Sequence, residues 1–249
     1  MASTSETGHA KNVANFETLI SFCAGYGANY NPSKANLKVP ALQTQLASCK
    51  ANIASVTSTS VAFNNAVNAR MIAFDGLKKL STRLINSLEV SGATSQTIKD
   101  AKTVNAKVQG SKLTKADAGI TPVDPNAIVV ETDKSISASQ QSYTSLIEHF
   151  SKMITILSTE PTYVPNENPL KIATLNTQLT NLKNTNTAVI NAYTTVSNSR
   201  ISRDQSLYNS TNGLCETAKE VKMYVKSVFG ATSQQYKQVS GIEFKTRKI

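Results

Sequence analysis

Apolar residues recur at alternating steps of four and three positions between Leu42 and Leu88. We refer to these positions as the first series, and eleven of its fourteen members are apolar. A mean spacing of 3.5 residues is typical of a helix with a narrow apolar seam that lies against another helix. Since no proline falls between Pro40 and Pro122, the pattern predicts one helix of about 70 Å that starts near Leu37. The polar members of the series are Ser60, Arg70 and Ser81.

Gly76 lies inside this predicted helix, where a glycine costs about 1 kcal/mol relative to alanine. One interpretation keeps the helix continuous, with Gly76 as a close packing point or a kink. The alternative is two helices that are separated near Gly76. In both cases we expect an end at Gly92, because glycine favours the position after a helix, and Thr94 or Ser95 can cap a following helix over 95–108.

The flanking segments are assigned from the same signals. Residues 1–9 are expected to form a flexible tail, and the apolar spacing over 10–24 predicts a short amphipathic helix. Gly, Asn and Pro make 25–34 a loop. The periodicity is lost over 111–134, which we interpret as a connector in which AIVVET, residues 127–132, could form one short strand.

Similar segments occur twice in the same order, which predicts an internal duplication. LKVPALQTQLASCK at 37–50 matches LKIATLNTQLTNLK at 170–183, and GATSQ occurs at both 92–96 and 230–234. A second apolar series runs from Leu175 to Val228, and apolar residues from Ile136 to Leu157 predict a further helix before it. Three shorter matches support the repeat: NFETLI at 15–20 with SYTSLI at 142–147, Tyr30–Pro32 with Tyr163–Pro165, and Asn68–Arg70 with Asn198–Arg200.

These patterns predict an all-α fold, a single elongated domain over 1–249. Two long helices of about 50–60 residues would pack side by side, flanked by shorter helices, in a bundle built from two tandem repeats. The predicted divisions are repeat 1 over about 10–110, the connector 111–134, repeat 2 over about 135–240 and a basic tail at 241–249. The low content of turn formers, 10 Gly and 7 Pro, argues against a β-sandwich or an α/β fold.

Candidate chemistry is sparse. The three cysteines, Cys23, Cys49 and Cys215, have no close pair, so we expect neither a disulfide framework nor a zinc site. His9 is expected in the tail, and His149 is expected at the surface or partly packed. Phosphate-binding glycine motifs and paired acidic residues are absent from the sequence. The sequence therefore predicts no catalytic residues, no metal or cofactor site, and no enzymatic activity.

Several polar and charged residues are further candidates for a structural or binding role. Arg70 and Arg200 fall at matching seam positions, where each could fix the register or, the interpretation we favour, send its guanidinium to water. Asn186 is expected at a loosely packed, partly hydrated position of the second series. A basic stripe is formed by Lys219, Lys222 and Lys226. The net charge of +10 would suit an acidic partner, although such an excess is usually only a general surface property.

Three classes of function follow from this reading. The leading expectation is a non-enzymatic structural or interaction protein, a rod-like bundle that assembles with itself or packs on another protein. A membrane-active, pore-former-like protein is the first alternative, although the sequence has no apolar segment to support it. A binder of nucleic acid or another anionic partner is the second and less favoured. Because the sequence shows no signal peptide or transmembrane segment, we expect a cytoplasmic location by default. Leaderless export or a phage origin is an alternative that the sequence does not exclude.

Overall fold

The computed structural model describes residues 4–110 and 141–247, and all regular structure within these ranges is helical. This confirms the predicted all-α class. The predicted connector, its short strand and Ile136 lie outside the described residues. The helices are α1 Thr4–Gly25, α2 Val39–Phe74, α3 Leu77–Glu89, α4 Ser95–Gln109, α5 Tyr143–Thr159, α6 Ile172–Tyr208, α7 Leu214–Phe229 and α8 Gln234–Ser240.

The predicted helix from Leu37 to Gly92 is two helices, so the interpretation as one continuous helix is wrong and the alternative of two helices is confirmed. α2 has 36 residues and ends at Phe74. Gly76 follows in the left-handed conformation, with φ 78°, and α3 begins directly after it. A left-handed residue ends the α2 hydrogen-bonding pattern, and glycine adopts it without a steric penalty. The spacing of four and three continues past the break because Leu77, Leu84 and Leu88 line the buried face of α3.

The second series is also interrupted. α6 has 37 residues and ends at Tyr208, so neither long helix reaches the predicted 50–60 residues. The Asn209 side chain accepts hydrogen bonds from the backbone N–H groups of Thr211 and Asn212, which stabilises the turn that follows. A Cβ at Gly213 would lie 2.5 Å from the backbone N of Asn209, so only glycine fits there.

The amino terminus also differs from its prediction. α1 begins at Thr4 and includes most of the expected tail. His9, which we expected in that tail, is a buried residue of α1, with only 3% of its surface exposed. In the part of α1 that precedes Ala10, the His9 side chain has a partner within the fold, because its Nδ1 lies 2.6 Å from Tyr208 Oη.

The chain divides into two compact units, and the division falls within both long helices. Unit 1 comprises Met1–Asn64 and Asn191–Ile249, and unit 2 comprises Asn65–Ile190. Unit 1 therefore contains α1, α7, α8 and the parts 39–64 of α2 and 191–208 of α6. Unit 2 contains α3, α4, α5 and the remaining parts of α2 and α6. Each unit combines helices from both halves of the chain, whereas the predicted repeats divide the sequence at the connector.

Each unit has its own apolar core. In unit 1, Phe16 and Leu19 of α1 pack with Leu42 of α2, Leu207 of α6 and Val221 of α7. In unit 2 the corresponding cluster is formed by α3, α4, α5 and the first part of α6. Its fully buried members include Leu77, Leu84, Leu88, Val108, Phe150, Met153, Leu175 and Leu182.

Within unit 1 the two long helices run antiparallel and contact each other directly. The Thr59 and Ser199 hydroxyl oxygens are 2.8 Å apart, and the rings of Phe63 and Tyr193 are 6.0 Å apart. Nearer the end of α6, the Cys49 thiol donates to the Ser206 carbonyl at 3.6 Å. The residue numbers rise along α2 as they fall along α6, which fixes the antiparallel direction. Of the helices in the described ranges, none is long and apolar enough to cross a membrane.

Candidate functional site

A groove of about 570 Å³ lies between the first part of α2 and the last part of α6, within unit 1. We call it the α2–α6 groove. Its lining consists of small or neutral polar side chains and carries no carboxylate, amine, guanidinium or imidazole. The lining residues are Ala41, Thr44, Gln45, Ser48, Cys49, Ser202, Gln205, Ser206, Asn209 and Asn212.

Several polar atoms of the groove already have partners within the protein. Gln45 Nε2 donates to the Asn212 carbonyl at 2.9 Å, and Asn209 Nδ2 donates to Gln205 Oε1 at 3.0 Å. The Thr44 hydroxyl donates to the Pro40 carbonyl within its own helix. Covering such a surface costs less than covering a charged one, because fewer strong bonds to water are lost. The groove therefore suits a neutral, closely packed partner better than an ionic one.

The cysteine in the groove is not an activated nucleophile. Cys49 is fully buried, and burial raises the pKa of its thiol above the usual value. Burial likewise raises the pKa of Cys23 and of Cys215 to about 11 each. All three cysteines are free and buried, and a thiol protonated at neutral pH is a poor nucleophile. They behave as small apolar side chains of the core.

A buried polar cluster lies beside the core of unit 1. His9 Nδ1 is 2.6 Å from Tyr208 Oη. The side chain of Arg203 is 8% exposed and forms an ion pair with Asp204, with NH2 and Oδ1 2.8 Å apart. A cavity of about 40 Å³ is lined by His9, Arg203, Ile53, Val56 and Thr57. The sequence did not indicate this cluster, because His9 and Arg203 are 194 positions apart and only the antiparallel fold brings them together.

The basic carboxyl-terminal tail is held against α1 and α7 through its main chain. Asn12 Nδ2 donates to the Lys245 carbonyl at 2.8 Å, and the Lys245 N–H donates to Asn12 Oδ1 at 2.9 Å. Asn15 Nδ2 donates to the Glu243 carbonyl at 2.7 Å. Lys222 Nζ donates to the carbonyls of Ser240, at 3.2 Å, and Ile242. Sequence analysis missed this site, although alternating apolar residues in GIEFK were a signal of extended structure.

Arg70 does not send its guanidinium to water, in contrast to the interpretation favoured from sequence. In unit 2 its guanidinium carbon lies 4.0 Å from the centre of the Tyr143 ring, and its NH1 donates to Asn186 Oδ1 at 3.0 Å. Asn186 therefore has a specific partner and is not merely hydrated. Arg200, the predicted counterpart of Arg70, is exposed. The arginine position that the fold buries in the second series is Arg203.

His149 lies on α5, half-buried. Burial lowers the pKa of its imidazole, and the positive charge of Lys107 lowers it further. The negative charge of Glu148 acts in the opposite direction, and Lys152 adds a smaller lowering effect. The buried Nε2 atom has no hydrogen-bond partner. Among the described residues, no nucleophile forms a hydrogen bond with His149, so its surroundings favour a neutral, structural side chain.

The lysines of the predicted basic stripe contact neighbouring groups of unit 1. Lys219 pairs with Glu216 at 2.8 Å, and the amine of Lys226 lies 5.7 Å from the centre of the Tyr236 ring. Lys222 holds the tail as described, and burial lowers its pKa. Lys219 and Lys226 stay exposed while they make these contacts, whereas Lys222 is half-buried.

Among the described residues, no group of three or more His, Cys, Asp or Glu could hold a metal ion. Comparison with models of known protein families, with curated proteins and with solved structures finds no match. The function is therefore inferred from the geometry of the chain itself.

Proposed function

We propose that this protein is a non-enzymatic structural or interaction protein that assembles with copies of itself through the surface of its long helices. The observation that carries the proposal is a set of large apolar side chains exposed on α2 and α6 of unit 1. Val61, Tyr193 and Ile201 have 55%, 62% and 58% of their surface exposed. Ile201 is four residues before Gln205 of the α2–α6 groove, so the two side chains lie on the same side of α6.

The chemistry of this surface supports contact with another helix. The groove is neutral, and part of its polar atoms are bonded internally, so a partner helix can cover it at low desolvation cost. Burial of exposed apolar side chains then supplies the favourable free energy, at roughly 25 cal/mol per Å². Helix surfaces of this kind commonly associate with each other in antiparallel or supercoiled pairs.

The second part of the proposal is that the chain consists of two copies of one helical unit. The buried positions Val13, Phe16 and Ile20 of α1 have the same spacing as Ile147, Phe150 and Ile154 of α5, displaced by 134 residues. This register matches NFETLI with HFSKMI at 149–154, and not with SYTSLI as the sequence comparison suggested.

The loops that follow these helices support the same duplication. Tyr30 Oη donates to the Leu37 carbonyl at 2.8 Å, and Tyr163 Oη donates to the Leu170 carbonyl at 3.0 Å. Both tyrosines therefore close a loop of the same length. These loop residues are displaced by 133 positions, one fewer than α1 and α5. The same displacement of 133 makes Arg203 the equivalent of Arg70, without the gap that the match to Arg200 requires. A duplicated chain that already pairs its two copies can extend the same kind of helix packing to a second molecule.

Sedimentation velocity of the full-length protein over a range of concentrations tests the self-assembly. We expect concentration-dependent oligomers, and we expect Ile201→Glu to shift them to monomer, because a carboxylate would be placed in the apolar contact. Val164→Glu is the matched control, because Val164 is 80% exposed and lies outside the proposed surface. A wild-type protein that stays monomeric at high concentration would refute the proposal.

A further inference from the structure

Residues 241–247 occupy a cleft between α1 and α7 in a manner typical of a bound extended peptide. Asn12 makes a two-point contact with the main chain of Lys245, and Asn15 and Lys222 bind the carbonyls of Glu243 and Ile242. The Cys215 thiol adds a weak contact to the Lys245 carbonyl at 3.7 Å. Since these contacts use main-chain atoms of the segment, they depend little on its side chains.

The side chains of the segment alternate between the protein and the solvent. Ile242 and Phe244 are half-buried against the core of unit 1, whereas Glu243 and Lys245 are exposed. The amine of Lys222 lies 5.5 Å from the centre of the Phe244 ring. The cleft therefore makes polar contacts with main-chain groups of the segment and apolar contacts with two of its side chains, Ile242 and Phe244, which are two positions apart. This is the division of roles that gives affinity and selectivity when an extended peptide is recognised.

We propose that this cleft binds the carboxyl-terminal segment of a second copy of the chain, so that copies are joined by exchange of their tails. This inference rests on the self-assembly proposed above and specifies one route to it. The occupant is residues 241–247 of the partner, which satisfy the same contacts as the chain's own tail.

Two features favour such an exchange. The contacts made by the segment are identical whichever copy supplies it, so the exchange conserves binding free energy within the cleft. Gly241 joins the segment to α8, and glycine adopts a wider range of backbone dihedral angles than other residues, so the direction of the chain after α8 can change there without a steric penalty. Exchange then depends on protein concentration relative to the effective concentration of the chain's own tail.

A cross-linking experiment on two co-expressed full-length chains tests the exchange. One chain carries Lys11→Arg and the other carries Lys245→Arg, so that an amine-reactive cross-link between Lys11 and Lys245 can form only between chains. Both lysines are exposed, and Lys11 is next to Asn12, which binds the main chain of Lys245. We expect a covalent dimer that contains this cross-link. Wild-type protein, which can form the link within or between chains, is the positive control.

A synthetic peptide of residues 240–249 serves as a competitor that leaves the protein unchanged. An excess of this peptide should reduce the intermolecular cross-link several-fold, whereas a peptide with serine in place of Ile242 and Phe244 should not. If the co-expressed pair gives no such cross-link although wild-type protein does and sediments as an oligomer, tail exchange is wrong while self-assembly stands. If the protein is monomeric, both proposals are wrong. A cross-link that the peptide does not reduce also refutes binding in the cleft.

Discussion

At the scale of single residues, burial determines the behaviour of the titratable groups. Thiolates and phenolates are stabilised by water, so their loss of solvent raises the pKa of Cys23 and Cys215 to about 11 and also raises the pKa of Tyr30 and Tyr208. Each of these groups is neutral when folded over the physiological range. They contribute to the core and not to a reactive centre.

Alkaline pH is therefore expected to destabilise the fold. A pKa that is higher in the folded than in the unfolded state gives stability that is complete below the unfolded value and is lost as pH rises through the folded value. For Cys23 and Cys215 this window runs from the ordinary value of 9.0 to about 11. This difference corresponds to about 3 kcal/mol per thiol at most. The lowered pKa of Lys222 acts in the opposite direction.

Chemical denaturation at a series of pH values measures this effect. The free energy of unfolding should be constant from pH 7 to about 8.5 and should fall steeply between pH 9 and 11. Cys215→Ala should make the fall shallower, because one of the two thiols is removed. A free energy of unfolding that does not change over this window would contradict the assignment.

Arg203, which is buried, and Arg70, which is half-buried, should differ in their energetic importance. Arg203 balances the charge of Asp204, whose side chain is 21% exposed. Arg70 contacts an amide and an aromatic ring, and it forms no ion pair within the part of the chain that the structure describes. Removal of one member of a buried ion pair leaves an uncompensated charge, which is strongly destabilising.

We expect Arg203→Met to reduce the free energy of unfolding by about 2–3 kcal/mol, and Arg70→Met by about 1 kcal/mol. Thermal and urea denaturation of the two variants provide the comparison. Arg203→Met combined with Asp204→Asn should recover part of the loss, because no charge is then left unpaired. Equal losses for both single variants would show that the ion pair has no special role.

At the scale of elements, the long helices depend on packing more than on intrinsic propensity. Ser, Thr and Asn are frequent in α2 and α6. Threonine hydroxyls in these helices donate to carbonyls of the preceding turn, as Thr59 does to the Ser55 carbonyl at 2.8 Å and Thr180 to the Asn176 carbonyl at 2.9 Å. Such bonds satisfy the side chain without adding helical hydrogen bonds. The helices are therefore stabilised where they meet the two cores and each other.

The end of α2 is determined by one glycine, and its replacement tests this. Gly76→Ala should reduce the free energy of unfolding by about 1–2 kcal/mol, because an L-residue with a side chain is strained at φ 78°. The absence of atoms within 4 Å of its Cβ position means that backbone strain, and not a clash, is the cause.

Gly25→Ala is the matched control for this substitution. Gly25 is the last residue of α1, its φ is not positive, and the space around its Cβ position is also open. Alanine there should be neutral or stabilising by up to about 1 kcal/mol. Equal effects of the two substitutions in urea denaturation would refute the assigned role of Gly76.

At the scale of the whole molecule, both proposals concern association, but they use different parts of unit 1. The helix surface around Ile201 would act through apolar burial, and the cleft of Asn12 and Asn15 would act through main-chain hydrogen bonds. The two contributions can be separated, because charge substitutions at the helix surface leave the tail contacts intact. A net charge of +10 opposes association between copies at low ionic strength, so oligomers should strengthen as salt screens this repulsion.

The sequence by itself determined the helical class, the start of α4 near Thr94 and the buried positions at the start of the first series. Spacing of apolar residues reports which face of a helix is buried, whatever covers it, and this is why Leu42, Leu46 and Cys49 were identified correctly as buried. The cap at Thr94 followed from local chemistry, since its side chain accepts from the N–H of Thr97 in the same turn. These features depend on neighbours within a few residues.

Only the tertiary structure decided where the helices end and which distant residues meet. The break at Gly76 left the apolar period intact, so periodicity could not distinguish one helix from two. His9 with Tyr208, Arg70 with Asn186, and Asn12 with Lys245 are joined across 199, 116 and 233 positions. Such pairs arise because each unit is assembled from both halves of the chain, and no local pattern records which segments become neighbours when they share a core.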